Sequence, residues 1–215
     1  KGNLAYISGP SHAEEVARGK LTGLIAASKN GKNAIRFREL LSSQKLIVFS
    51  SLDITGVQIS AAMKNVVALA FGMLDALSEF SDHIGDNTES LLLAAGINEI
   101  QQLGTAMGAS HPETFASIAG VGDLDVTCRS RYGRNRRFGR EIIIDRLLDK
   151  YSGIDDIFEH MSDVGYFAEG VVAAKHVFDL AEEYNLALPI CRGVYGILDK
   201  QLRPAEAIET ILSQL

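Results

Sequence analysis

A lysine–asparagine pair, Lys64–Asn65, interrupts the most apolar stretch of the sequence, which runs from Val57 to Phe71 and is rich in alanine. Alanine and unbranched apolar residues favour an α-helix, and a helix that is apolar on nearly all sides is expected at the centre of a helical bundle. A lysine in such a helix is costly to bury unless its ammonium is paired or takes part in chemistry. A stem that packs while the ammonium reaches water would explain the same position, so both interpretations stay open.

The composition is that of an ordinary globular protein, with 215 residues of which 47% are hydrophobic and 22% charged. The net charge of -6 provides no overall basic field to attract nucleic acid or an anionic membrane. Two cysteines, Cys128 and Cys191, argue against a disulfide framework and fit a reducing cytosol. The five histidines show no metal-ligand spacing, so we expect no metal site. The longest apolar run, Val66–Leu74, is shorter than the roughly 20 residues of a membrane span, and we expect a soluble protein.

The chain changes character near residue 55. Before it, β-branched and apolar runs at 4–8, 23–27 and 46–50 predict short strands, and residues 33–41 predict a helix between the last two. After it, the pattern is helical to the end, and we predict helices at 57–77, 88–107, 112–118, 134–148, 167–184, 189–198 and 204–215. No Gly-x-Gly-x-x-Gly motif occurs, so the first strand and turn of any dinucleotide-binding half are expected upstream of an incomplete chain.

An arginine cluster is the second unusual feature. A glycine-punctuated segment, 120–128, is interpreted as a loop, and residues 129–140 then hold six arginines although the protein is acidic overall. Arginines at a helix start suit a phosphate group, because free backbone N–H groups and the helix dipole also favour an anion there. A solvated face paired with nearby acids, or a nucleic-acid surface, would use the same charges. Only Tyr132 and Phe138 are aromatic in the cluster, which weakens the nucleic-acid alternative.

A short turn after the first predicted strand is a weaker signal. Gly9 permits a close backbone approach, Pro10 fixes the turn, and Ser11 is suited either to cap the following helix or to bind a ligand oxygen.

Taken in order, six motifs resemble one family. They are Ser-Gly-Pro-Ser-x-Ala-Glu-Glu from Ser8, Asp-x-x-Gly-Val ahead of Lys-Asn-Val, Gly-Asp-Asn, Gly-x-Gly-Asp-Leu with Thr-Cys, Arg-Asn-Arg-Arg-Phe-Gly, and Ala-Glu-Gly at 168–170. The sequence is similar over essentially its whole length to the bacterial-type NAD(P)-dependent glycerol-3-phosphate dehydrogenases. The resemblance implies an α/β remnant of a Rossmann-like domain over residues 1–55. An all-α, 6-phosphogluconate-dehydrogenase-like substrate domain would follow over residues 56–215.

The activity implied by the resemblance is reversible hydride transfer between NAD or NADP and C2 of dihydroxyacetone phosphate or sn-glycerol 3-phosphate. The family supplies glycerol 3-phosphate for phospholipid synthesis. The resemblance further implies a cytoplasmic homodimer that binds a small phosphate ester. We expect it to bind no nucleic acid and to have no membrane span. Because the nucleotide-binding fingerprint is missing, we expect the isolated fragment to be inactive.

The resemblance also assigns residues. Lys64 is the catalytic proton acceptor, and Asp123 is suited to steady it. The substrate-binding positions are Gly9, Ser11, Lys64, Asn65, Asp123, Thr127, Gly133, Arg134 and Asn135. The cofactor-binding positions are Ala13, Arg134, Phe167 and Glu169.

Two alternatives remain. One is another two-domain dehydrogenase of the hydroxyacid or ketopantoate type, which has a comparable lysine but lacks the arginine-rich phosphate loop. The other is a non-catalytic helical module that binds anions through the arginine cluster.

Overall fold

The computed structural model describes residues 3–214. They form two compact units. The first consists of the chain up to Ala61 together with Ile100–Val126, and the second consists of Ala62–Glu99 and the chain from Thr127 onward. The boundary near residue 55 stays a prediction.

The first unit contains a three-stranded sheet. Its strands are β1 (Tyr6–Ser8), β2 (Thr22–Ala27) and β3 (Leu46–Ser51), with helix α1 (Ala13–Ala17) after β1 and helix α2 (Gly31–Leu41) between β2 and β3. Strand β1 pairs antiparallel with β2, whereas β2 and β3 are parallel. Asn30 caps α2 by accepting a hydrogen bond from the backbone N–H of Lys32. The β2–α2–β3 unit is a parallel crossover, which confirms the predicted α/β remnant.

Helices make up most of the remaining chain. They are α3 (Ile54–Leu77), α4 (Asp86–Ala106), α5 (Asp123–Arg129), α6 (Arg134–Ile144), α7 (Ile154–Glu159), α8 (Glu169–Glu183), α9 (Pro189–Leu198) and α10 (Pro204–Gln214). Helix α3 is long and apolar enough to cross a membrane, but 67% of its most apolar 18-residue window is buried. It is therefore described as a core helix, in agreement with its alanine-rich sequence.

A buried carboxylate anchors the start of α3. Asp53 is 2% exposed and accepts hydrogen bonds from the backbone N–H of Gly56 (3.0 Å), the N–H of Ser110 (3.2 Å) and the hydroxyl of Thr114 (2.7 Å). Burial alone would raise the pKa of Asp53, but these bonds and one from the backbone of His111 lower that pKa below its ordinary value. Asp53 thus caps α3 and ties it to the segment that follows α4.

Helices α3 and α6 approach at backbone distance. A Cβ at Gly72 would lie 2.0 Å from the carbonyl oxygen of Arg136, and a Cβ at Gly139 would lie 2.2 Å from that of Leu69. No side chain fits either position without a shift of the helices. The glycine of Arg-Asn-Arg-Arg-Phe-Gly therefore has a packing role.

The first turn of α9 is capped from far along the chain. Glu99 on α4 is 3% exposed and accepts hydrogen bonds from the backbone N–H groups of Ile190 (2.6 Å) and Cys191 (3.0 Å). The residue before α9, Leu188, has no side-chain acceptor. Burial raises the pKa of Glu99, and the two backbone hydrogen bonds oppose that shift.

Two predicted segments differ from the structure. Residues 112–118 do not form one α-helix, because a 3₁₀ turn (Pro112–Thr114) is followed by a π-helical turn (Ile118–Gly122). The predicted loop at 120–128 is wrong, because it holds the end of that π-helical turn and all of α5 except its last residue. A Cβ at Gly120 would lie 2.0 Å from the carbonyl oxygen of Phe115, so glycine permits the tight backbone approach within this segment.

Helix α6 is also shorter than the helix predicted at 134–148. It ends at Ile144 rather than 148, since Arg146 adopts a positive φ of 52° and a 3₁₀ turn (Leu147–Lys150) follows. The short helix α7 was not predicted.

Candidate active site

The lysine–asparagine pair lies in the middle of α3. Lys64 and Asn65 are both half-buried, whereas Met63, Val66 and Val67 on the same helix are fully buried. The two polar residues therefore lie on the one part of this helix segment that is not sealed in the core. This exposure agrees with both sequence interpretations, and the lysine's role stays a prediction.

Asn135 links three helices through its side-chain amide. It is 4% exposed, its Oδ1 accepts the backbone N–H of Gly170 (2.8 Å), and its Nδ2 donates to Oδ1 of Asn65 (2.8 Å). The orientation of the amide is fixed because a backbone N–H can only donate. A Cβ at Gly170 would lie 2.6 Å from the carbonyl oxygen of Asn65, so this contact needs glycine. The Lys-Asn, Arg-Asn and Glu-Gly motifs are thereby joined by hydrogen bonds.

An ion pair lies next to this amide link. Arg134 is the first residue of α6, and its guanidinium pairs with the carboxylate of Glu169, the first residue of α8. Both side chains keep substantial exposure, 55% and 39% respectively, so this pair contributes little to stability but is open to a ligand. Phe167, two residues before Glu169, is 46% exposed.

Two further predicted residues lie close to each other in the second unit. Thr127 is 8% exposed on α5, and Gly133 is buried immediately before α6. A Cβ at Gly133 would lie 2.8 Å from the backbone oxygen of Thr127. The structure thus brings both next to the helix start that carries Arg134.

The remaining predicted residues belong to the first unit. Gly9 has a φ of +132°, and a Cβ there would lie 2.9 Å from the carbonyl oxygen of Gly23, so glycine is required. The hydroxyl of Ser11 donates to the carbonyl oxygen of Gly9 (3.0 Å) and does not cap α1, which begins at Ala13. Of the two interpretations of Ser11, helix capping is therefore wrong.

Asp123 is 2% exposed at the start of α5 and accepts a hydrogen bond from the hydroxyl of Ser8 (3.2 Å). Burial raises the pKa of Tyr6, and the charge of Asp123 adds to this rise. Sequence reasoning missed Ser8 as a partner, because the two residues are separated by 115 positions and no local pattern relates them.

The arginine cluster consists mostly of ion pairs. Its carboxylate partnerships are Arg129 with Glu89, Arg134 with Glu169, Arg136 with Asp75, Arg137 with Glu141, and Arg140 with both Asp75 and Glu79. Within residues 3–214, Arg131 has no carboxylate partner and instead lies over the ring of Tyr132. The interpretation as a face paired with nearby acids thus explains five of the six arginines, Arg134 among them, so the selection of Arg134 for an anion depends on its position at the start of α6 beside Asn135.

No metal centre is evident in the described part of the chain, where no three His, Cys, Asp or Glu side chains are grouped to hold an ion.

A parallel crossover unit followed by helices, with a half-buried lysine on the longest of them, is the arrangement expected of part of a two-domain nicotinamide-dependent dehydrogenase. The family model for the NAD-dependent glycerol-3-phosphate dehydrogenase C-terminus matches residues 53–209, and the model for the N-terminus of the same enzymes matches residues 1–34. The chain belongs to the NAD-dependent glycerol-3-phosphate dehydrogenase family, which confirms the resemblance found in the sequence.

Individual relatives agree with the family model. The chain is 63% identical over 212 residues to a glycerol-3-phosphate dehydrogenase (NAD(P)+) from Treponema denticola, covering 99% of this chain and 59% of the relative. It is 36% identical to a Salinibacter ruber enzyme of the same name, covering 98% of this chain and 58% of the relative. A crystal structure of glycerol-3-phosphate dehydrogenase from Coxiella burnetii superimposes with a TM-score of 0.83 at 32% identity, covering 97% of this chain and 59% of that one. The chain therefore spans about three fifths of the length of the curated relatives it matches.

Proposed function

We propose that this chain is part of an NAD(P)-dependent sn-glycerol-3-phosphate dehydrogenase, which transfers a hydride reversibly between the nicotinamide and C2 of dihydroxyacetone phosphate or glycerol 3-phosphate. Membership of the family and the names of the relatives support this activity. The activity belongs to the longer protein, of which the relatives' lengths indicate that this chain covers about three fifths.

The hydrogen bond between Asn65 and Asn135 gives this proposal its strongest structural support. The side chains of Asn65 and Asn135 are hydrogen-bonded (2.8 Å), and each directly follows one of the residues with a proposed chemical role, Lys64 and Arg134. A proton-carrying amine and a phosphate-binding guanidinium on neighbouring helices are what reduction of a phosphorylated ketone requires.

The proposed chemistry assigns one task to each group. NADH or NADPH supplies the hydride when bound. The ammonium of Lys64 polarises the ketone oxygen and gives it a proton as C2 is reduced, and the neutral amine takes the proton back in the oxidation of the alcohol. Arg134 holds the phosphate, and Asn135, the next residue on α6, is proposed to contact the substrate beside it. Binding the remote phosphate then orients the reacting carbon.

The side chains that would hold the cofactor fit it chemically. Phe167 presents an exposed aromatic face, Glu169 an exposed carboxylate suited to ribose hydroxyls, and Arg134 a guanidinium suited to phosphate. Ala13 is proposed for the same role on the resemblance alone. Gly9, Ser11, Asp123, Thr127 and Gly133 are proposed to contact the substrate.

The proposal extends to the setting of the enzyme. We infer a cytoplasmic homodimer that supplies glycerol 3-phosphate for phospholipid synthesis, with residues 1–55 completing a dinucleotide-binding domain. The family resemblance supports this inference.

Replacing Arg134 tests the phosphate assignment. In the full-length protein, we expect Arg134→Ala to raise KM for dihydroxyacetone phosphate by about 10-fold or more, because a charge-assisted hydrogen bond to phosphate is lost. Arg203→Ala is the matched control, since Arg203 is an exposed arginine paired with Glu206 on α10. An unchanged substrate KM in Arg134→Ala would show that the phosphate is bound elsewhere.

A further inference from the structure

The segment leading into α8 is fastened to α6 by a tyrosine that no motif includes. Tyr166 follows Gly165, whose φ of +82° ends the preceding turn, and its side chain is half-buried. Its hydroxyl donates a hydrogen bond to Oε2 of Glu141 (2.5 Å), two turns along α6 from Arg134.

A second contact closes this arrangement into a triangle. Arg137 donates from Nε to Oε1 of Glu141 (2.7 Å), and its guanidinium carbon lies 4.5 Å from the ring centroid of Tyr166. The carboxylate is thus held by two donors while the guanidinium contacts the aromatic face. Burial raises the pKa of Tyr166, and the hydrogen bond to Glu141 raises it further, so the phenol keeps its proton at neutral pH. We name these three residues the Tyr166 triangle.

The triangle lies next to residues proposed for cofactor binding. Phe167 is bonded directly to Tyr166, and Glu169 follows two residues later, where it pairs with Arg134. The backbone N–H of Gly170 is held by Asn135. Helix α6 therefore fastens both ends of the 166–170 segment, in which Phe167 and Glu169 keep 46% and 39% exposure respectively.

We propose that Tyr166 is a positioning residue for the nicotinamide cofactor, which holds Phe167 and Glu169 at the start of α8 through its bond to Glu141. This inference rests on the proposed function. A merely structural tyrosine would change stability alone, whereas a positioning residue changes cofactor affinity and leaves substrate affinity unaltered.

The test removes one hydroxyl. In the full-length protein, we expect Tyr166→Phe to raise KM for NADH or NADPH about 3- to 10-fold, which is less than the full worth of a hydrogen bond to a charged group because the bond acts on the cofactor only through the segment it holds. KM for dihydroxyacetone phosphate and kcat at saturating cofactor should stay within about 2-fold. Glu141→Gln, which keeps an acceptor but loses the charge, should give a smaller rise in cofactor KM. The double variant, Tyr166→Phe with Glu141→Gln, should raise cofactor KM little more than Tyr166→Phe alone, because both changes act on the same hydrogen bond. Tyr184→Phe is the control, since Tyr184 is an exposed tyrosine after the other end of α8.

Two outcomes separate this inference from the proposed function. If the parent protein turns over but Tyr166→Phe lowers only the melting temperature, with cofactor KM unchanged, the positioning role is overturned and the activity stands. If the parent protein shows no turnover, the proposed activity fails. Binding of NADH, followed by its own fluorescence, then still decides whether Tyr166→Phe weakens cofactor affinity relative to Tyr184→Phe.

Discussion

Lys64 is the residue on which the proposed chemistry depends most. Its neighbours Met63, Val66 and Val67 are sealed in the core, yet the lysine itself is only half-buried. The sequence predicted that a costly charge lies on the central helix, because lysine is rarely placed there without a reason. It could not predict how far the side chain is exposed, since exposure depends on packing by helices that come later in the chain.

Removing the amine tests its catalytic role. We expect Lys64→Ala in the full-length protein to lower kcat by roughly 10²- to 10⁴-fold, the usual contribution of a positioned acid–base group, with folding retained. Steady-state kinetics measures the loss, and circular dichroism checks the fold. Lys32→Ala, at an exposed lysine on α2, should leave kcat unchanged. Full turnover without Lys64 would mean that another group carries the proton.

Residues near one another in sequence were easier to predict than partners far apart. The turn at Gly9 was anticipated from its motif, and the structure gives Gly9 a positive φ. The pairing of Arg136 and Arg140 with Asp75 was not predictable, because Asp75 lies on α3 more than 60 positions away. Of the candidate site, the sequence thus supplied the residue types and their order, whereas the ion pairs that occupy most of the arginines required the fold.

Among the helices, those with clear ends were predicted best. Helix α9 was predicted at 189–198, as observed, since proline suits a first helical turn. The region around Gly120 was predicted worst, because glycine there serves a tight contact with Phe115 rather than an open loop. Glycine thus has different structural roles, which a sequence pattern does not distinguish.

The close crossing of α3 and α6 can be tested by substitution. Gly139→Ala would place a methyl group 2.2 Å from the carbonyl oxygen of Leu69, so the helices must separate. We expect a loss of about 1–3 kcal/mol in the free energy of unfolding, measured by denaturant titration. Gly85→Ala, where no atom lies within 4 Å of the new methyl group, should change it by less than about 0.5 kcal/mol. Equal stability of the two variants would contradict the close crossing.

The cap of α3 predicts a pH dependence. Hydrogen bonds hold the pKa of Asp53 below its ordinary value in the folded protein, so its unfolded pKa, about 3.9, is higher. The ionised Asp53 therefore contributes its full stabilisation at any pH above its pKa in the unfolded protein. This contribution is lost as the pH falls through the lower pKa that Asp53 has in the folded protein. We expect Asp53→Asn to be destabilised relative to the parent at pH 7, with the difference shrinking below about pH 4. A difference that persists unchanged at the lowest measurable pH would contradict the ionised cap.

The net charge of the chain decides between the possible anionic partners. The chain carries -6, and five of its six clustered arginines already pair with carboxylates. We expect no binding of a fluorescent DNA duplex at about 150 mM salt, measured by anisotropy, because few arginines are available to release counterions. Tight duplex binding that weakens steeply with salt, and is not displaced by glycerol 3-phosphate, would favour the non-catalytic alternative.

The cap that Glu99 gives to α9 has a consequence for how opening of the fold can be observed. The amide hydrogens of Ile190 and Cys191 are held by a carboxylate that precedes them by about 90 residues in the chain. Exchange of these amides requires the start of α9 to move away from Glu99 on α4, so their deuterium uptake follows separation of segments that are distant in the chain. These two amides are therefore natural probes of cooperative opening. Their exchange should be slower than that of the amides in the first turn of an exposed helix.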